Sequence, residues 1–177
     1  CFADKEGLET YLHFLEEGRF RSFKVPGLVG TDFVNVIFED SDHNFWIGTE
    51  KGLHRFKNGS FETLTVESGL TYNAVRSIFE DSERNLWVGT SGGGINIFSD
   101  GVIMTYSTAD GLSSGDILPV LIDRNGDLWA GTANDGLDVL LKNGGKKHYS
   151  TASGLTDNRI LSLFEHENGE IWVGTVK

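Results

Sequence analysis

The sequence predicts an all-β fold, a β-propeller of four-stranded antiparallel blades, with four blade equivalents in the chain. Three observations predict it. First, all four tryptophans open the same motif: Trp46-Ile47-Gly48-Thr49, Trp87-Val88-Gly89-Thr90, Trp129-Ala130-Gly131-Thr132 and Trp172-Val173-Gly174-Thr175. The steps between them are 41, 42 and 43 residues, the period of a propeller or a solenoid. Second, each period holds four short runs of β-branched and aromatic residues divided by glycine-containing turns. Third, no segment sustains a 3.6-residue apolar period, and the 23 glycines interrupt too often for a helical repeat. One such unit cannot bury its apolar face alone, so the repeats must stack on one another.

Each period opens on a Gly-Leu pair. Gly69-Leu70, Gly111-Leu112 and Gly154-Leu155 lie 18 residues before their Trp, and Gly27-Leu28 lies 19 before Trp46. Strand A follows as an apolar run ending in acids: Val34 to Asp40, Val75 to Asp81, Ile117 to Asp123 and Ile160 to Glu165. A polar turn leads to strand B, which carries the Trp motif. A glycine turn leads to strand C, of the type Gly52–Phe56 or Gly94–Phe98. Tight turns at Lys57-Asn58-Gly59, Ser99-Asp100-Gly101 and Lys142-Asn143-Gly144-Gly145 lead to strand D, of the type Val102–Ser107. Asn-Gly and Asp-Gly mark hairpins because both residues tolerate positive φ. Pro119 lies in an A segment and cannot donate to a ladder, which makes strand A a sheet edge, the innermost strand facing the channel.

This register gives one propeller region over residues 1–177. Residues 1–26 supply strands C and D of a first blade. Residues 27–68, 69–110 and 111–153 are three repeats running A-B-C-D, and 154–177 supply strands A and B of the last. Cys1-Phe2 aligns with Trp46-Ile47 and is read as strand B. The expected form is a piece of a longer propeller that meets further blades or self-associates when isolated. A closed ring of four blades and a ring of eight from two copies are the alternatives.

The net charge of −11 excludes nucleic acid as a natural partner, because that needs a basic footprint. No apolar stretch is long enough for a transmembrane helix. One cysteine allows no intrachain disulfide.

The Trp-x-Gly-Thr motifs are read as structural. Trp supplies buried area between blades, and its N–H needs one partner. Gly permits close backbone approach or a bulge, and Thr bonds a turn. Ser91-Gly92-Gly93-Gly94 lacks the following helix and the Lys of a phosphate loop, so it is a B–C turn. The acids of the A–B turns, among them Asp40, Asp81 and Asp123, are read as a solvated face, since they lack the ligand spacing of a calcium loop. The five histidines are scattered. No metal, cofactor or catalytic group is expected.

The repeat of Gly-Leu, apolar strand, Glu-Asp, polar turn, Leu-Trp-Val-Gly-Thr, Gly-Gly and a short strand, best seen from Gly69 to Phe98, resembles the two-component regulator propeller repeat. Departures are Ala130 for an aliphatic residue, Leu140-Leu141 where Phe closes strand C, and His166 for Asp. The resemblance implies a seven-bladed sensor propeller on the periplasmic or extracytoplasmic side of a bacterial hybrid histidine kinase or related receptor. It implies a small-molecule ligand, often an oligosaccharide, bound without catalysis. Two other classes stay open: a carbohydrate-active enzyme (glycosidase or lyase) on the same scaffold, and a protein-interaction scaffold. The D–A loops differ most between repeats, and binding sites sit on loops held by a rigid frame. They supply the ligand-binding candidates Tyr72, Asn73, Arg76, Asp116, Asp157, Asn158 and Arg159. The alternative for each is a loop cap or a solvated polar residue.

Overall fold

The computed structural model describes residues 9–29, 32–99 and 101–177. Among the described residues sixteen strands run in chain order, every paired neighbour antiparallel. Strands β1 (Glu9–Glu16) and β2 (Arg19–Val29) form one hairpin. Three four-stranded sheets follow. The first holds β3 (Val34–Glu39), β4 (Phe45–Thr49), β5 (Gly52–Lys57) and β6 (Ser60–Leu64). The second holds β7 (Val75–Glu80), β8 (Leu86–Thr90), β9 (Gly94–Ser99) and β10 (Val102–Tyr106). The third holds β11 (Ile117–Ile122), β12 (Leu128–Thr132), β13 (Leu137–Leu140) and β14 (Lys146–Tyr149). The last pair is β15 (Ile160–Glu165) with β16 (Ile171–Thr175).

In each full sheet the strands lie in sequence order, and the A strand is an edge. These inner edges stand side by side: β3 beside β7, β7 beside β11, β11 beside β15. That is the arrangement of propeller blades, and it accommodates Pro119 on edge strand β11. Both faces of a sheet are covered by the neighbouring blades, so successive residues are buried. Ile47, Val88 and Ala130, each next to a motif Trp, have no exposure at all. One apolar cluster joins Trp46 and Leu53 of the first sheet to Val75, Ile78 and Val88 of the second. A second joins Ile95 and Ile97 to Ile117, Val120 and Ala130.

The motif glycine is fixed by this packing. A Cβ on Gly131 would lie 2.6 Å from Pro119 Cγ and 2.7 Å from Ile160 Cγ2 of the next blade. The motif threonine closes the B–C turn: Thr90 Oγ1 donates to Gly94 O at 2.9 Å and accepts from Gly93 N–H at 3.2 Å.

Several expectations change. Strand β2 runs through the Gly27-Leu28 pair and ends at Val29, so this pair lies in a strand. Strand D ends at Tyr106 because Ser107 caps a short 3₁₀ turn, Thr108–Asp110. Equivalent turns at Val66–Ser68 and Thr151–Ser153 precede Gly69-Leu70 and Gly154-Leu155, each closed by a glycine with positive φ. Cys1-Phe2 lies outside the described residues. Among the described residues β1–β2 and β15–β16 are separate two-stranded sheets, so they do not close a ring of four blades.

Candidate functional site

Every inner strand carries a β-bulge at its second residue. The register slips between Val34 and Val36, Val75 and Ser77, Ile117 and Val120, and Ile160 and Ser162. A bulge leaves its extra residue unpaired and re-aims the side chain. The residues so released are Asn35, Arg76, Leu118 with Pro119, and Leu161. They line a cleft of about 480 Å³ along the inner edges, together with Ser77 and Arg159.

The polar end of this cleft is built across two blades. Arg76 Nη1 pairs with Glu50 Oε1 at 2.6 Å. The Asn35 amide donates to the same oxygen at 3.2 Å and to Val75 O at 2.9 Å. Glu50 therefore neutralises Arg76 and fixes Asn35. Ser77 Oγ is buried and has no hydrogen-bond partner among the described residues. Arg159 is exposed at the rim, its backbone N–H held by Asp157 Oδ1 at 2.9 Å.

The sequence-predicted residues divide. Arg76 and Arg159 share the cleft. Tyr72, 48% exposed, stands over the B–C turn of its own blade. A Cβ on Gly93 would come within 2.8 Å of Tyr72 Cβ, which explains a glycine run there without any phosphate. Asp116 accepts from Ser91 Oγ at 2.7 Å and joins two blades. Asn73 and Asn158 are used as caps: their Oδ1 atoms accept from Val66 N–H at 2.8 Å and Thr151 N–H at 2.7 Å. Asn35, Glu50 and Ser77 were missed. The signal was present, because Asn35 occupies the repeat position of Arg76.

A second set of groups was misread. Asp40, Asp81 and Asp123 are not a solvated face; each is folded into its own A–B turn. Asp81 accepts from the backbone N–H of Glu83 and Asn85 and from the Asn85 amide, each at 2.9 Å, and from Trp87 Nε1 at 2.8 Å. Asp40 holds Trp46 Nε1 at 2.7 Å and Asp123 holds Trp129 Nε1 at 2.9 Å. Burial pushes these carboxyls up, but the donors from indole, amide and backbone outweigh it and hold all three below the ordinary 3.8.

A third set sits at one position of strand C. Asn96 is clasped by Thr71, with N–H to Oδ1 at 3.0 Å and Nδ2 to Oγ1 at 2.8 Å. Asp138 accepts from Ser113 N–H at 2.7 Å and Oγ at 2.8 Å, and meets His148 Nδ1 at 2.8 Å. His54 lies between Thr49 and Thr63 hydroxyls, and burial pushes its pKa down to about 4. Ser113, Asp138 and His148 are not a nucleophilic relay, since the carboxylate lies between serine and histidine and takes both. Among the described residues no cluster of three or more His, Cys, Asp or Glu is placed to hold a metal. No described helix is long and apolar enough to cross a membrane.

The two component regulator propeller model matches residues 27–51, 69–92 and 154–177. These three segments match the two component regulator propeller repeat. The third repeat, residues 111–153, has no match, and Ala130 and Ile122 depart from the pattern there. No curated protein sequence matches the chain. Among solved structures it is similar to the extracellular domain of BT3049 from B. thetaiotaomicron, named as a hybrid two component system. Identity is 28% and the TM-score 0.71, over 86% of this chain and 22% of that one. The extracellular domain of BT4673 from the same organism gives 24% and 0.66, over 80% and 22%. The chain thus spans about a fifth of the length of these relatives. Virginiamycin B lyase from Staphylococcus aureus shares the fold at 16% identity and a TM-score of 0.71, over 92% and 55%.

Proposed function

We propose that this chain is a section of the extracytoplasmic sensor propeller of a bacterial two-component-type receptor. In this reading the repeats at 27–68, 69–110 and 111–153 are successive blades of a larger ring. The observation that carries it is the 28% identity to the extracellular domain of BT3049 across 86% of the chain. The ligand is a small polar molecule, of the oligosaccharide class, bound without catalysis in the cleft along the inner strands. The cleft supports this with Asn35, the unpartnered hydroxyl of Ser77 and the exposed guanidinium of Arg159. Hydroxyl-bearing ligands need such donors and acceptors on a concave, fixed surface. Binding shifts the population of receptor states by its differential affinity for them.

A melting-temperature screen of oligosaccharides and small metabolites, with product analysis of each hit, tests the reading. The expected result is a shift without turnover that is lost in Ser77→Ala and Arg159→Ala. Turnover abolished by one acid-to-amide change would overturn it in favour of an enzyme.

A further inference from the structure

On the rim formed by the A–B turns, one blade reaches the next through paired charges. Glu80, at the end of β7, accepts from Ser41 N–H at 2.8 Å and Ser41 Oγ at 2.9 Å. Beside it Arg84 Nη1 donates to Asp42 at 3.0 Å. Between the third and fourth turns, Glu165 accepts from Arg124 N–H at 3.1 Å and Nε at 2.5 Å. The junction between the second and third turns lacks both ties. Ile122 stands where Glu80 and Glu165 stand, and Gly126 stands where Arg84 stands. Among the described residues Ser82 and the Glu83 carboxylate accordingly have no partner. A cleft of about 590 Å³ opens there, lined by Ser82, Glu83, Trp87, Arg124, Gly126 and Lys142.

The first junction serves as an internal control. A carboxylate is held on Ser41 although Asp40 and Asp42 stand beside it, at the repeat positions of Asp81 and Glu83. Local acids therefore do not exclude an anion, because the Asp81 carboxylate is consumed by its own turn. The Lys142 ammonium supplies a cation here, as Arg84 does beside the Ser41 site.

We propose that this cleft binds an amino acid whose carboxylate takes the Ser82 N–H and hydroxyl and whose cationic side chain meets Glu83. The ligand then occupies the places of the Glu80 carboxylate and the Arg84 guanidinium one blade earlier. Free arginine joins those two groups in one molecule. The site lies on the rim opposite the D–A loops and is independent of the inner-strand cleft.

Titration calorimetry of the 177-residue chain tests it, with L-arginine and with agmatine, which keeps the guanidinium but has no carboxylate. Saturable binding of L-arginine is expected, with agmatine weaker by about tenfold or more, as the loss of a charge-assisted hydrogen-bond pair implies. Glu83→Gln should weaken L-arginine by a similar factor and leave the ligand-free melting temperature unchanged, since Glu83 is exposed and unpaired. Ile122→Glu restores the inner tie; it should abolish binding and raise the melting temperature. If that variant does not fold, Glu83→Gln alone decides. Absence of saturable L-arginine binding, or binding that survives Glu83→Gln, overturns the proposal.

Discussion

Trp87 and Trp172 stand at the same place in the repeat, but one is held and the other stands 63% exposed. Around Trp87, Asp81 uses one oxygen for the turn backbone and the other for the Asn85 amide and the indole N–H. The indole also lies against Tyr106, with ring centroids 6.2 Å apart. At the fourth turn His166 replaces the aspartate. Its Nδ1 still accepts from Asn168 N–H at 3.2 Å, as the first carboxylate oxygen would. An imidazole has no second acceptor on that side, and among the described residues no bond to Trp172 forms. The hairpin turn therefore needs one acceptor, whereas anchoring the tryptophan needs two and a covering strand D.

The sharpest way to break the comparison is to remove each ring. Trp87→Ala should cost about 3–5 kcal/mol in urea unfolding, the usual range for a packed aromatic, whereas Trp172→Ala should cost under about 1 kcal/mol. Equal losses would show that Trp172 is buried in solution by another surface. Asp81→Ala should come next, at about 3 kcal/mol, because it strands several donors around one lost charge. His166→Ala should cost under about 1 kcal/mol by the same measurement.

Acid separates the first blade from the others. His54 titrates at about 4 in the fold against 6.5 ordinarily, so the unfolded chain takes up its proton first as pH falls. Its contribution is present above pH 6.5 and drains away toward pH 4, about 3 kcal/mol in all. His54→Gln should flatten that part of the stability–pH curve. Asp40, Asp81 and Asp123 act in the next window. Their folded pKa values lie below 3.8, so their stabilisation is full above that value and is lost as pH falls beneath it. Stability curves in which His54→Gln changes nothing between pH 6.5 and 4 would contradict this assignment.

The reverse change is a gain. His166→Asp should complete the fourth box and add about 1 kcal/mol. The Trp172 indole N–H should then exchange more slowly with solvent by NMR. An unchanged exchange rate would mean that the covering strands, rather than the second acceptor, decide the anchor.

Much of the frame was legible because propeller strands are local. The Trp motifs and the polar turns before them act within one hairpin, the Gly-Leu pairs mark the link from one blade to the next, and together they set strands β7, β8 and β9 to within a residue. The inner-strand cleft was half legible. Arg76 and Arg159 lie in variable loops or beside them, but Asn35 and Ser77 become a site only through the bulge, which no local composition marks. The acids of the A–B turns were misread for a related reason. An aspartate before a polar turn looks solvated in sequence, and the indole six residues on reveals its second bond only when the hairpin folds back.

By itself the sequence determined the period, the strand order and the phase of the repeat, since these follow from side-chain alternation and turn chemistry within about forty residues. The tertiary structure alone decided which equivalent positions differ in role. Ser41 and Ser82 are matched in register, and they are separated by what the neighbouring blade brings, Glu80 to the one and Ile122 to the other. The physical reason is that hydrogen-bond partners and buried area are supplied between blades, where residues 25 to 43 positions apart meet.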